Sequence, residues 1–257
     1  KNSIIKKGIF TTCKKNGDCP PWQIKAKEIE HNKEKKIINY KHAWLEVYDK
    51  PIIYFPKFFH PDPTVKRQSG FLMPQVIDSS SLGLSFKLPY YKVISDNKDL
   101  TFTSRIFSEN EALFQNEYRQ VNKNSKHIVD FSLKEKNSTS KTHFFSNSLT
   151  KLNMDIFDVS EIELNLETTS NQDYLKTHNI KSKINNNQSL LKSFLIFRGN
   201  SRDMNFETKV EAYENLTKDK SSDKYEYIFP SYKFSKRLPS NFNGNYEIIS
   251  SGNYKNY

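Results

Sequence analysis

Six histidines are the side chains of this sequence best suited to acid–base or metal chemistry. They are scattered along the chain as His31, His42, His60, His127, His143 and His178. None stands at the spacing of zinc ligands from another histidine or from a cysteine. The sequence also contains no Gly-rich phosphate loop and no recognisable Ser-His-Asp signature. We therefore predict no metal, no cofactor and no catalytic residue, and we expect that the protein is not an enzyme.

One carboxylate lies beside a histidine, in the run His60-Pro61-Asp62-Pro63. A neighbouring imidazole and carboxylate could serve acid–base catalysis. A proline, however, restricts the residue before it to extended backbone, so this run is more typical of a fixed turn. We interpret the run as the joint between two domains, together with three residues that follow it: Lys66, Arg67 and Gly70.

The two cysteines, Cys13 and Cys19, are the remaining reactive side chains. A pair of cysteines in an exported protein suggests a disulfide formed in an oxidising compartment. Five residues separate the two, and a local loop closed by a Cys13–Cys19 disulfide is geometrically allowed. Metal binding by two cysteines alone is a poor alternative, because a structural zinc site takes four ligands.

The elements that position these histidine, aspartate and cysteine side chains are predicted to be β-strands, because apolar and polar residues alternate through most of the sequence. In residues 161–169, Ile162, Leu164 and Leu166 fall on one face, and charged or amide side chains fall on the other. Such alternation indicates a strand with one apolar and one wet face. It recurs in residues 100–107, 127–135 and 204–212. Polar breaks separate the runs, so we predict an antiparallel meander of about eleven or twelve strands after Gly70, each about ten residues long.

A meander of this kind suits either a soluble sandwich or an outer-membrane barrel. Sandwiches usually have shorter strands and more Gly and Pro punctuation, whereas this chain has only 7 Gly in 257 residues. A mean hydropathy of −0.77 does not exclude the barrel, because the lumen-facing residues of a barrel are polar. The length of the strands and their alternation favour the barrel.

The net charge of +11 suggests a polyanionic partner such as nucleic acid, anionic lipid or a phosphorylated glycolipid. Lysine and asparagine are spread over the whole chain, however, which is typical of a general compositional bias. The motifs of nucleic-acid-binding modules are absent from the sequence. We therefore expect no nucleic-acid partner.

The N-terminal region differs from the rest in its shorter strands and its prolines. Alternation in residues 22–29 and 36–47, with a polar turn at residues 31–35, is typical of a jelly roll or a stack of β-hairpins. The apolar trough of such a sheet is filled either by its own core or by an alkyl chain. Five prolines follow in residues 51–74. Because proline removes a backbone donor, we predict that residues 51–74 form a rigid, extended connector between two β regions.

Five motifs follow one another along the first half of the chain. They are Thr12-Cys13, PPWQIKA at residues 20–26, AWLEV at residues 43–47, PIIYFPKFFHPDPTVKRQSGFLMP at residues 51–74, and LPYY at residues 88–91. This order resembles the LptD family of outer-membrane lipopolysaccharide-assembly proteins, also called OstA or organic solvent tolerance proteins. HPDPTVKR followed by SGFL is the most specific part, since no generic barrel requires it. The resemblance is dense over residues 11–120 and weaker beyond them.

The resemblance implies a protein of two parts. Residues 1–66 would form the end of a periplasmic β jelly roll, and residues 67–257 the first antiparallel strands of a large outer-membrane β-barrel, so we expect a piece of a longer chain. The implied function is transport and insertion of lipopolysaccharide into the outer leaflet of the outer membrane. The implied partners are lipopolysaccharide, an LptE-like lipoprotein plug and a periplasmic LptA-like jelly-roll bridge. The alternatives are a generic outer-membrane diffusion barrel, or porin, and a soluble, basic β-rich binding protein.

The resemblance also implies roles for single residues. The family's barrel opens laterally between its first and last strands, and Pro74 and Pro89 lie at positions where prolines weaken that seam. Without the resemblance, the two prolines would mark bulges or strand ends. In the family, a cysteine in the setting of Cys13 can pair with a partner near the C-terminus of the barrel. The pairing of Cys13 and Cys19 therefore stays open.

Overall fold

The computed structural model describes residues 2–11, 22–79, 82–108, 111–136, 139–218, 224–239 and 244–256. Within these ranges it contains sixteen β-strands and one helix of four residues. The predicted all-β class is therefore confirmed. The chain divides into two compact units, residues 1–68 and residues 69–257, and each unit is described by itself.

The first unit is an antiparallel sheet of four strands. Its strands are β1 (Asn2–Phe10), β2 (Trp22–Asn32), β3 (Ile37–Val47) and β4 (Lys50–Pro61), paired in chain order. β2 and β3 contain the two alternating runs predicted in this region, with a turn at residues 33–36 between them. β3 and β4 are joined by Tyr48 and Asp49, which both have positive φ values, as the favoured two-residue hairpin turns require.

A row of irregular positions crosses this sheet and decides which side chains it buries. Lys7 and His42 have φ values of 54° and 51°, and the ladder lacks a pair at each of them. The alternation of inward and outward side chains therefore slips by one residue across the row. Ala43 on one side of the row and Tyr40 on the other consequently point into the same core, where they are 0% and 1% exposed.

Three prolines lie inside β4, at Pro51, Pro56 and Pro61. β4 is at the end of the strand order, where one side of each peptide needs no partner, and proline is tolerated in such edge strands. The prediction of extended backbone from residue 51 onward is correct. The first half of the predicted connector is nevertheless a paired edge strand, and the stretch that leaves the sheet is residues 62–69.

The second unit is an antiparallel sheet of twelve strands. Its strands are β5 (Gly70–Phe71), β6 (Gln75–Ser79), β7 (Gly83–Ser95), β8 (Lys98–Phe107), β9 (Ala112–Val121), β10 (Ser125–Lys136), β11 (Thr139–Leu152), β12 (Val159–Thr169), β13 (Leu190–Asn200), β14 (Met204–Asn215), β15 (Tyr225–Leu238) and β16 (Tyr246–Asn256). From β7 to β16 each strand pairs with the next along the chain, and β5 and β6 both pair with β7. The predicted meander after Gly70 is confirmed.

One face of the second sheet carries large apolar side chains that remain exposed. Ten of them, 37–57% exposed, are Phe86, Phe102, Ile106, Phe114, Phe131, Leu133, Phe144, Leu164, Leu166 and Leu195. The cross-strand pairs Phe86–Ile106, Phe131–Phe144 and Leu164–Leu195 place members of this set side by side. We call these ten residues the apolar face.

The opposite face is polar and is laced with ion pairs. Their nitrogen–oxygen distances are 2.7 Å for Arg119–Asp99, 2.6 Å for Lys134–Glu111, and 3.1 and 3.0 Å for Arg198 with Glu161 and Glu163. Charged side chains on one face and exposed apolar ones on the other are what the alternating sequence predicts.

The connection between β12 and β13, residues 170–189, folds against the polar face. It contains α1 (Tyr174–Thr177), the one helix among the described residues, which is too short to cross a membrane. Apolar residues of the connection and of the strands share a buried cluster that includes Tyr174, Leu175, Ile180, Phe107, Leu113 and Phe145. A small apolar core therefore lies beneath the connection.

Candidate functional site

The edge of the second sheet is interrupted beside Pro74. The last pair of β5 joins Phe71 to Tyr90 of β7, and β6 resumes pairing with Gln75 opposite Lys87. Three residues of the edge therefore face two residues of β7, which is the count of a β-bulge. Pro74 lies within this break, outside both short strands.

Pro89 lies opposite the break, inside β7. The N–H of Leu72 donates to the carbonyl oxygen of Pro89 at 2.9 Å. In an antiparallel ladder, two bonded residues exchange both of their hydrogen bonds. Because proline has no N–H, the reciprocal bond from residue 89 to Leu72 cannot form. β7 continues through Pro89 and keeps its pairing with β8, so the weakened side is the edge.

Pro74 and Pro89 thus belong to one interrupted stretch of one strand pair. The two residues that precede Pro74 are exposed, Met73 at 83% and Leu72 at 46%. This geometry is common to the two interpretations of the prolines, a lateral seam or a plain bulge. The gate role of Pro74 and Pro89 stays a prediction.

A hydrogen-bonded turn follows β4 at the predicted joint. Asp62 Oδ1 accepts from the N–H and the hydroxyl of Thr64 at 2.8 and 2.7 Å, and Pro63 between them is exposed. Asp62 Oδ2 pairs with His31 Nε2 at 2.5 Å. The bonds from Thr64, with a smaller contribution from His31, hold the pKa of Asp62 below its usual range. The carboxylate closes an Asx-type turn.

His60 is held in one tautomer by its two partners. Its Nδ1 lies 2.6 Å from the carbonyl oxygen of Pro61, which can only accept, so Nδ1 carries the proton. Nε2 then accepts from the hydroxyl of Tyr40 at 2.7 Å. Burial raises the pKa of Tyr40, which keeps this hydroxyl protonated. Because His60 binds Tyr40 while Asp62 binds His31, the two neighbours do not form an acid–base pair.

The remaining residues of the predicted joint lie on either side of the division between the units. That division falls between Gln68 and Ser69. Lys66, which is exposed, and Arg67, which is half-buried, precede it, and Gly70 begins β5 after it. A side chain at Gly70 would have open space within 4 Å, so close packing does not require glycine there.

The predicted disulfide falls on Cys13 and Cys19, which lie outside the described residues, and their pairing stays open. Within the described ranges, no group of three or more His, Cys, Asp or Glu side chains is arranged to hold a metal ion.

A buried polar network joins the connection to the sheet. The hydroxyl of Tyr174 lies 2.7 Å from Ser132 Oγ, which lies 2.5 Å from His143 Nδ1. His143 Nε2 lies 3.2 Å from Asp130 Oδ1. Because the carboxylate accepts, Nε2 is the donor to Asp130. In the neutral ring Nδ1 then accepts from Ser132, and the bonds run in one direction from Tyr174 to Asp130. The side-chain amide of Gln115 donates to Asp130 as well, at 3.0 and 3.1 Å.

Ser132, His143 and Asp130 are the residue types of a catalytic triad, although the sequence has no recognisable signature of one. All three are only 1–2% exposed, and the hydroxyl of Ser132 is hydrogen-bonded to the hydroxyl of Tyr174. A nucleophile must reach its substrate, so the set serves as an anchor for α1. Burial raises the pKa of Tyr174 to about 12, which keeps its hydroxyl a donor. Alternation places Asp130 and Ser132 on one face, but no sequence signal pairs them with His143.

Curated proteins similar to this chain include the LPS-assembly protein LptD of three bacteria. The chain is 34% identical to that of Idiomarina loihiensis over 118 residues, 34% to that of Nitrosomonas eutropha over 117, and 33% to that of Pseudomonas fluorescens over 127. The matches cover 46%, 46% and 49% of this chain but only 15%, 16% and 13% of the relatives. No protein-family model matches the chain. The resemblance to LptD that the motifs indicate is confirmed.

Proposed function

We propose that this chain takes part in the transport and insertion of lipopolysaccharide into the outer leaflet of the outer membrane. In this proposal, residues 1–66 form the end of a periplasmic β jelly roll and residues 67–257 the first strands of a large barrel. The observation that carries the proposal is the similarity to relatives named LPS-assembly protein LptD. The matches cover only 13–16% of those relatives. The chemistry of the two sheets gives support that does not depend on these matches.

The apolar face of the second sheet supports a membrane location. Its ten large side chains, 37–57% exposed, extend across seven consecutive strands, β7–β13. Soluble proteins rarely leave so large a contiguous apolar surface in water. Lipid tails would cover this face, and the ion pairs of the opposite face would line a wet lumen.

The first sheet supports contact with an acyl chain. Its buried cluster is bordered by five partly buried apolar side chains, Phe10, Trp22, Leu45, Phe55 and Phe58. The described part of this unit is a single sheet, and these five partly buried side chains leave apolar surface on which a further layer can pack. An acyl chain of lipopolysaccharide is one such layer, and an LptA-like jelly roll adjoining the sheet is the proposed donor.

The interrupted edge beside Pro74 and Pro89 is the proposed lateral exit. A seam that lacks the reciprocal hydrogen bond at Leu72 and Pro89 separates at a lower free-energy cost than a complete ladder. An LptE-like lipoprotein is the proposed plug on the polar side.

Photo-crosslinking in cells tests this function. A photoreactive amino acid at Leu45, which pairs with Ile24 in the buried cluster, is expected to crosslink to lipopolysaccharide. The same probe at Lys25, exposed and paired with Trp44 on the other face, is the control and should give little product. A generic diffusion barrel predicts no crosslink from either position, and that result would refute the proposal.

A further inference from the structure

Three cationic side chains gather at one end of the polar face without matching carboxylates. Lys87 of β7, Arg105 of β8 and Lys181 of the connection line a cavity of about 240 Å³. Lys87 and Lys181 also line a neighbouring cavity of about 450 Å³. The positive charges of Arg105 and Lys181 both act on Lys87. Like charges brought together in this way need a compensating anion.

Arg105 carries a buried charge. It is only 7% exposed, and its Nε and Nη1 donate to Ser85 Oγ at 3.0 Å and to the carbonyl oxygen of His178 at 2.8 Å. Both acceptors are neutral. Among the described residues, no carboxylate forms an ion pair with Arg105 or Lys87. Because a buried charge without a counter-charge is unfavourable, uptake of an anion would stabilise this cavity.

Two cations close to this cluster are paired. Arg119 pairs with Asp99 at 2.7 Å, and Lys183, two residues after Lys181, pairs with Glu117 at 2.8 Å. Carboxylates are therefore present near the cavity, but they are engaged by Arg119 and Lys183.

His178 forms part of the wall of the same cavity. It is 3% exposed and lines the cavity beside Arg105. Its Nδ1 lies 3.0 Å from the carbonyl oxygen of Tyr174, which can only accept, so Nδ1 carries the proton. Nε2 is buried and has no hydrogen-bond partner among the described residues. Burial lowers the pKa of His178, which favours the neutral ring with Nε2 as an acceptor. Because Nε2 is enclosed by protein atoms, His178 belongs to the wall of the cavity, and the cations are the groups left to meet a ligand.

We infer that this cavity binds the phosphate group of a phosphorylated sugar, with Lys87, Arg105 and Lys181 around the phosphate. The inference rests on the proposed function, and the occupant that we assign is the phosphorylated sugar headgroup of lipopolysaccharide. Free inorganic phosphate has the same anionic chemistry, so the test compares the two ligands.

Binding measurements on the complete purified protein in detergent test the inference. The ligands are lipopolysaccharide, lipopolysaccharide stripped of its phosphates, and inorganic phosphate. Lys87→Gln and Lys181→Gln are each expected to weaken binding of the phosphorylated lipid about tenfold, as for loss of one charge-assisted contact, and to leave the stripped lipid unaffected. Lys92→Gln, exposed on the other face of β7, and Lys176→Gln, exposed on α1, are the matched controls.

The outcomes separate this inference from the proposed function. Unchanged binding of lipopolysaccharide by the Lys87→Gln/Lys181→Gln double variant would overturn the inference and leave the function intact. Failure of the unaltered protein to bind lipopolysaccharide would overturn both. Tight binding of inorganic phosphate that lipopolysaccharide does not displace would assign the cavity to free phosphate and overturn the lipid assignment.

Discussion

Asp62 fixes the end of β4 through its bonds to Thr64 and His31. Its lowered pKa means that folding favours the ionised form. The stability that it contributes is fully present above its ordinary pKa of about 3.9 and is lost as pH falls through the lower, folded-state pKa. We predict that hydrogen-exchange protection of the Thr64 amide, corrected for the intrinsic pH dependence of exchange, falls as pH drops below about 4.

An Asp62→Asn variant tests the same contact by removing the charge of the carboxylate. The amide of Asn keeps an oxygen that accepts from Thr64, but it lacks the negative charge that pairs with His31. Hydrogen-exchange protection of residues 62–69 should therefore be lower than in the parent protein at neutral pH and should not change with acid. Asp173→Asn, an equal charge change in the second unit, should match the parent protein. Acid sensitivity that is the same in Asp62→Asn and the parent would contradict the assignment.

The network under α1 makes a second residue-level prediction. Tyr174→Phe removes one buried hydrogen bond and Ser132→Ala removes two, and the free energy of unfolding should fall by about 1–2 kcal/mol for each lost bond. The two variants share a bond, so the double variant should lose less than the sum. Urea unfolding in detergent measures this, with the exposed Tyr254→Phe as a control near zero. Additive losses would mean that Tyr174 and Ser132 do not interact.

Sequence reasoning at this scale succeeds where the partners are neighbours in the chain. Asp62 and Thr64 are two residues apart, and prolines restrict the backbone around them, so a fixed turn is predictable. Asp130, His143 and Tyr174 come from β10, β11 and the connection. Their contact depends on strand register and on how the connection folds, and neither can be predicted from a local sequence pattern.

At the scale of the element, Pro74 and Pro89 weaken the pairing of the edge strands β5 and β6 with β7. Pro89→Ala restores the donor that faces Leu72, which should stabilise the edge by about 0.5–1.5 kcal/mol. We predict that Pro74→Ala/Pro89→Ala raises the melting temperature of the complete protein and slows delivery of lipopolysaccharide to the cell surface. Pro51→Ala in β4 is the control for the loss of proline rigidity. Unchanged stability together with unchanged export would contradict the gate role.

Strands are predictable here because their alternation is nearly unbroken. Residues 161–169 lie in β12 and residues 204–212 in β14. The prolines of residues 51–74 were harder to interpret, because proline inside a strand is acceptable only at an edge, and strand order is not a local property. The one-residue slip in side-chain alternation at His42 depends on a positive φ value, which its residue type does not predict.

At the scale of the whole molecule, the two unlike faces of the second sheet lead to a prediction about solubility. Among the described strands, β5 and β6 lie at one end of the strand order and β16 at the other, so both ends of this order offer backbone groups for pairing. We predict that residues 1–257, produced alone, aggregate in plain buffer and become monodisperse only in detergent. Light scattering measures this, and a monodisperse chain that melts cooperatively without detergent would contradict it.

Alternation and polar breaks made the twelve-stranded meander and its two faces predictable. The position of residues 170–189 was not, because Asn, Lys and Ser in a connection normally indicate exposed loops. Only the tertiary structure brings Tyr174, Leu175 and Ile180 against the strands, and only there do Lys87, Arg105 and Lys181 share a cavity.

The central claim is that the complete protein delivers lipopolysaccharide to the cell surface. Depleting the protein in the cells that make it, and labelling surface-exposed lipopolysaccharide over the following generations, tests that claim most directly. We predict that newly made lipopolysaccharide stops reaching the surface and accumulates inside the cell, while previously inserted outer-membrane proteins remain. Continued arrival of new lipopolysaccharide at the surface after the protein is gone would contradict the claim.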